Sequence, residues 1–66
     1  MYPNLRAELA RKGWTAAYLG SLLEISPSNM SMRMNGKMEF SLSEALSIRN
    51  LLGVDMTIDE LFQRAD

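Results

Sequence analysis

The sequence predicts an all-α fold built from five short helices, and three observations carry that expectation. Apolar residues recur at helical spacing, as in Leu19, Leu22 and Leu23. Four segments open on a serine or threonine placed to cap a helix (Thr15, Ser26, Ser41 and Thr57). No stretch alternates apolar and polar residues as a half-buried strand does.

The elements follow in order. The first helix is expected from about Asn4 to Lys12, with Leu5 and Leu9 one turn apart and Gly13 as its stop. Trp14 follows and is expected to cover the junction with the next helix. Thr15 caps a second helix running through about Leu23, in which Leu19, Leu22 and Leu23 have the i, i+3, i+4 spacing of a buried stripe. Ser26-Pro27 opens the third. The serine accepts from an orphan amide, and proline at the first helical position gives up an N–H that had no partner. This helix runs to about Met34 and stops near Gly36. "SLSE" places Ser41 and Glu44 as a capping box ahead of Leu42, Ala45, Leu46 and Leu52; "TIDE" does the same with Thr57 and Glu60 ahead of Leu61 and Phe62.

Sixty-six residues make one domain, so residues 1–66 are expected to form a single unit near the lower size limit for independent folding. With 47% hydrophobic and 23% charged residues, the composition is that of a globular chain. There is no cysteine and no histidine, which removes disulfide staples and the usual zinc ligands and suits a reducing, cytoplasmic setting. No apolar run approaches the roughly 20 residues of a membrane helix, and the first stretch does not read as a signal peptide. Net charge is −1, unlike a typical nucleic-acid binder. The charge is unevenly placed, however: residues 1–50 carry six basic and four acidic side chains, and residues 51–66 carry one basic and four acidic.

The third helix poses a question of periodicity, because its methionines, Met30, Met32 and Met34, fall at every second position. At roughly 100° per residue, Met30 and Met34 lie about 40° apart on one side, the natural core side, and Met32 lies nearly opposite. The exposed side then groups Ser28, Met32, Asn29 and Asn35, with Arg33 further round. A single exposed methionine is ordinary by itself. Its surroundings are what suggest a contact face. A helix fits the major groove of DNA, where serine and asparagine can bond base edges and an apolar group can meet a thymine methyl. Arg33 and Lys37 are the candidate phosphate contacts.

No catalytic set is apparent. Ser26, Ser28, Ser41 and Thr57 have capping roles and no histidine exists to activate them, while Asp59 and Glu60 are helix neighbours that point apart. The expectation is a non-enzymatic chain with no cofactor, no metal and no small-molecule ligand.

The order of these parts resembles the Cro/phage-repressor type of helix-turn-helix domain over nearly the whole chain. The residues that carry the likeness are Leu19, Leu22-Leu23 and Ile25-Ser26 across the turn, Asn35-Gly36-Lys37, "FSLSEALSIRNLLGV", and Asp55 to Phe62. The resemblance implies a compact five-helix domain, with the helix-turn-helix over about residues 15–36. Its second helix would lie across the DNA backbone and its third would enter the major groove of double-stranded DNA. The DNA-facing positions it implies are Thr15, Ala16, Ser28, Asn29, Met32, Arg33, Asn35 and Lys37, and the implied role is a prokaryotic or phage transcriptional regulator, with a homodimer possible. The chain departs from the family where glutamines are frequent, at Ala16, Ser28 and Met32. It has Tyr18 where the second helix often has an acid or glutamine, and Glu24 where the turn is commonly glycine. The retained features, Ser28, Asn29, Arg33, Lys37 and the amides at two helix N-termini, support binding more than selectivity, while the departures take away base-reading side chains. They also open an alternative, in which the domain serves as a protein-interaction module centred on Met32. In some phage repressors a buried arginine–glutamate pair occupies the positions of Leu9 and Met34. Both are apolar here and are expected to pack in the core.

Overall fold

Four of the five helices begin at a side-chain oxygen that takes up an otherwise orphan amide. In the computed structural model, which describes residues 1–65, the helices are α1 (Pro3–Lys12), α2 (Ala16–Leu22), α3 (Pro27–Met34), α4 (Leu42–Leu52) and α5 (Ile58–Leu61). The Thr15 hydroxyl accepts from the Tyr18 amide at 3.0 Å and Ser26 from Asn29 at 3.3 Å. Both capping boxes are complete, with Ser41 and Glu44 at the start of α4 and Thr57 and Glu60 at the start of α5. The first helix lacks a side-chain cap and begins instead on Pro3.

Three helices end in the same way. At the ends of α1 and α3, Gly13 and Gly36 adopt φ of 71° and 77°, and the amides of these glycines and of the following residues fold back onto helix carbonyls. The Lys37 amide, for example, reaches the Met32 carbonyl at 2.9 Å. α2 makes the same closure without a glycine. Glu24 takes φ of 59°, its amide bonds Ser21, and Ile25 bonds the Gly20 carbonyl at 2.8 Å. The turn position where the resemblance expects glycine is thus a left-handed one, occupied here by a residue that pays for its Cβ.

Packing follows from the apolar spacing. α2 lies against α3, while α1 packs on α4 and α5, which also meet each other. Leu5, Leu9, Leu19, Met30, Met34, Ile48, Leu52 and Leu61 form one buried cluster, closed at one end by Tyr2. Leu9 and Met34 share that cluster, as expected. Tyr2 stands edge-on to both Phe40 and Phe62, with centroids 5.7 and 5.8 Å away. Trp14 is half-buried against the core and edge-on to Tyr18. Glu8 is the buried charged residue; the exposed Arg11 guanidinium, one turn on, lies 3.3 Å from it.

One apolar expectation is corrected. Leu22 is exposed and does not join the stripe of Leu19 and the half-buried Leu23. Gly20 faces α3, and a residue two positions on lies about 160° round the helix. In α4 the buried line is Ala45, Ile48 and Leu52, which leaves Leu42 and Leu46 exposed.

The methionines divide as the helical period requires: Met30 is 1% and Met34 3% exposed, against 39% for Met32. Met34→Ala should therefore cost about 2–5 kcal/mol of unfolding free energy. Met32→Ala should stay within about 0.5 kcal/mol of the parent in urea melts. A comparable loss in both variants would contradict the burial pattern. Removing the strain in the turn should work the other way. Glu24→Gly should raise stability by about 1 kcal/mol in the same melts, and a loss would show that Glu24 is held there by an interaction worth more than its strain.

Candidate nucleic-acid interface

The outer side of α3 is set by what its inner side buries. With Met30 and Met34 in the core, Ser28, Asn29, Met32 and Asn35 all remain exposed, and Lys37 is exposed just past the helix end. The face contains no acidic residue. Ser28 Oγ lies 3.5 Å from Ser26 Oγ, and Asn35 Nδ2 lies 3.5 Å from Ser31 Oγ, long contacts that leave both side chains able to turn outward. Asn29 uses its backbone amide for the cap and keeps its side-chain amide for solvent. Lys37 has a backbone role in closing α3, and its ammonium has no partner among the described residues.

Other residues expected at the interface are placed differently. Arg33 was expected to reach phosphates, but its guanidinium points inward. Nη1 pairs with the Glu44 carboxylate and also approaches the Glu39 carbonyl at 3.4 Å, while the guanidinium carbon lies 5.9 Å from the Phe40 ring centre. Its Nε is buried with no acceptor. The cause is register: α3 ends where the chain turns into the cap of α4, which brings an acid and an aromatic ring alongside. Ala16 is half-buried against the core rather than free to read a base, because it starts the turn of α2 that carries Leu19 inward. Thr15 is exposed, and its hydroxyl is occupied by the Tyr18 amide.

Glu44 is a site residue that sequence reasoning had assigned to capping alone. Its Oε1 accepts from the Ser41 amide at 2.8 Å and pairs with Arg33, so a single oxygen holds both the start of α4 and the end of α3. The Ser41 backbone N–H lowers its pKa from the ordinary 4.5. Burial opposes this, while the Arg33 charge and the hydrogen bonds of the Ser41 and Arg33 side chains reinforce it.

Comparison of the chain with protein-family models, with curated proteins and with solved structures finds no match. Among the described residues, no helix is long and apolar enough to cross a membrane, and no cluster of acidic side chains could hold a metal ion.

The lowered pKa of Glu44 fixes the sign of a pH effect. Its contribution to stability is complete above the ordinary value of 4.5 and is lost as pH falls through the lower folded value. Glu60 is shifted the same way, first by the Thr57 backbone N–H and then by its side chain. Denaturation curves from about pH 7 to about pH 3 should show stability falling on the acid side. Glu44→Gln should flatten part of that fall and leave the part due to Glu60. An acid limb unchanged in Glu44→Gln would show that this carboxylate is no more acidic in the folded state.

Proposed function

We propose that the chain binds double-stranded DNA as a phage-repressor-like helix-turn-helix domain, with α3 entering the major groove and α2 crossing the backbone. The observation that carries this reading is the outer side of α3, where Ser28, Asn29 and Asn35 surround Met32 with no acid among them and Lys37 lies at the helix end. Serine and asparagine supply donors and acceptors for base edges, Met32 supplies an apolar contact for a thymine methyl, and Lys37 supplies a phosphate contact. A regulator of transcription in a prokaryote or phage is the role that fits such a module. With Arg33 engaged by Glu44, the electrostatic part of the affinity is small. Binding is therefore weak at physiological salt and has a shallow salt dependence.

One observation favours a second reading, a protein-contact module. Tyr18 and Leu22 sit one turn apart on α2 and are both exposed, as is Met32 on α3, so apolar surface is available on both helices.

Titration of isotope-labelled protein with a mixed-sequence duplex at low salt separates the two. On the DNA reading, the amides of residues 28–37 shift and the affinity falls as salt rises. Lys37→Ala should flatten the log–log salt slope by about 0.9, the loss of one phosphate contact. Arg33→Ala should leave the slope unchanged and lower the melting temperature. No amide shifts, or affinity independent of salt, would reject DNA binding and favour a protein partner.

A further inference from the structure

One buried charge has no part in the α3 face. Glu8 is 5% exposed, and no described residue donates a hydrogen bond to its carboxylate. Its charged partner is Arg11, whose Nη2 stands 3.3 Å from Oε2 and whose side chain is 75% exposed. A carboxylate has room for about four donors, and buried polar groups are as a rule supplied with them. Glu8 is short of donors.

What lies in front of it is space. Glu8 lines a cavity of about 520 Å³, whose other walls include Arg11, Asp55 and the apolar Leu52, Val54 and Met56. A cavity of that size with part charged and part apolar walls is usual for a small-molecule site. Its lining comes from α1, the end of α4 and the loop that follows, with no residue of α2 or α3. The carbonyl ends of α1 and α4 both border it, and such ends favour a positive group. Lys12 lines it too, but its ammonium stands over Trp14, 5.3 Å from the ring centre. Arg11 is therefore the cation at hand.

We propose that this cavity binds a free α-amino acid with an aliphatic side chain. Three features select that class. An ammonium group brings three donors to the undersupplied Glu8, with Asp55 as a second acceptor on the rim. A carboxylate suits the planar fork of Arg11. Glu8 and Arg11 stand side by side, and an α-amino acid carries its opposite charges on adjacent carbon atoms. One ligand thus pairs with both, head to tail. Leu52, Val54 and Met56 then take its side chain out of water. A residue inside a peptide chain carries neither charge, so the free amino acid is the form that fits. The sequence, read alone, points to no small-molecule ligand because the cavity joins residues 8–12 to residues 52–56, beyond any local spacing rule. Amino-acid binding here stands whether or not the α3 face meets DNA.

Titration of the isotope-labelled whole chain with L-leucine, to roughly 50 mM, tests the site in the range where ligands of that size bind. The amides of residues 8–13 and 52–56 should shift and saturate, while those of 28–37 stay still. Absent or non-saturating shifts would overturn the site. Two analogues test the pairing of charges. Isopentylamine is leucine without its carboxylate, and isocaproate is leucine without its ammonium. Each should bind at least about tenfold more weakly than leucine. An amine that binds as tightly as leucine would overturn the amino-acid assignment and leave a site for organic cations. Glu8→Gln keeps the shape, removes the charge and should abolish saturation by leucine; undiminished binding would overturn the role of Glu8. Arg11→Gln should weaken leucine about tenfold and leave isopentylamine as it was, because the amine has no carboxylate to lose. Leucine affinity unchanged in Arg11→Gln would overturn the head-to-tail pairing. Should Glu8→Gln fail to fold, the analogue series in the parent chain still decides, and Asp55→Asn, at an exposed position, should weaken leucine and the amine alike.

Discussion

The arrangement of α2 and α3 depends on a missing methyl group. A Cβ added at Gly20 would lie 3.1 Å from Met30 Cγ and 3.2 Å from the Ile25 carbonyl oxygen. The first neighbour is flexible and could yield. The second is backbone of the turn itself, which also accepts no movement without disturbing the Ile25 amide bond to the Gly20 carbonyl. Close approach at Gly20 thus fixes how the chain leaves α2 and where α3 begins. Once Met30 is seated there, the helical period leaves no further choice: Met34 must go inward and Met32 outward. The polar face of α3 is a consequence of this packing rather than a separate feature.

The far end of α3 is fixed electrostatically. Arg33 reaches over the start of α4, and the oxygen it pairs with is the one that completes the α4 capping box. One carboxylate therefore ties the end of α3 to the start of α4, in addition to the buried cluster the two helices share. Desolvating a guanidinium with one nitrogen left unpaired has a cost, and in a core this small that cost is met by the charge-assisted bond, the Glu39 carbonyl and the Phe40 ring. Geometry is the return: α3 is pinned at both ends, so its outer side chains share a rigid base.

The legible and illegible parts of the molecule divide by range. Caps, helix stops and the inward or outward sense of the methionines depend on neighbours within about four residues, and these could be read directly from Ser26, Ser41, Thr57, Gly36 and the 30–32–34 spacing. Arg33 was misplaced because its partner lies eleven residues on and across a loop, where no local spacing rule applies. Tyr2 carries no local signal of its burial, because the rings that enclose it belong to positions 40 and 62. Leu22 fits an apolar stripe by spacing, but a stripe is wider than the contact that covers it, and which edge stays bare is decided by the neighbouring helix. Glu8 is the least legible of the core positions: the i, i+3 spacing allows a pair with Arg11, but burial of a glutamate goes against the usual order of residue types.

The outer side of α3 offers hydrogen-bonding groups and little charge, and this bears on how the proposed DNA contact would work. With Arg33 turned to Glu44, one copy would hold few phosphates and gain little of the affinity that counterion release provides. A chain with a net charge of −1 cannot make up the difference by long-range attraction, as a strongly basic domain can. On the proposed reading, the weight of recognition therefore falls on short-range contacts: the hydrogen bonds of Ser28, Asn29 and Asn35 and the apolar reach of Met32. Those contacts need a face held at fixed geometry, which is what the seat of Met30 against Gly20 and the Arg33–Glu44 pair supply at the two ends of α3.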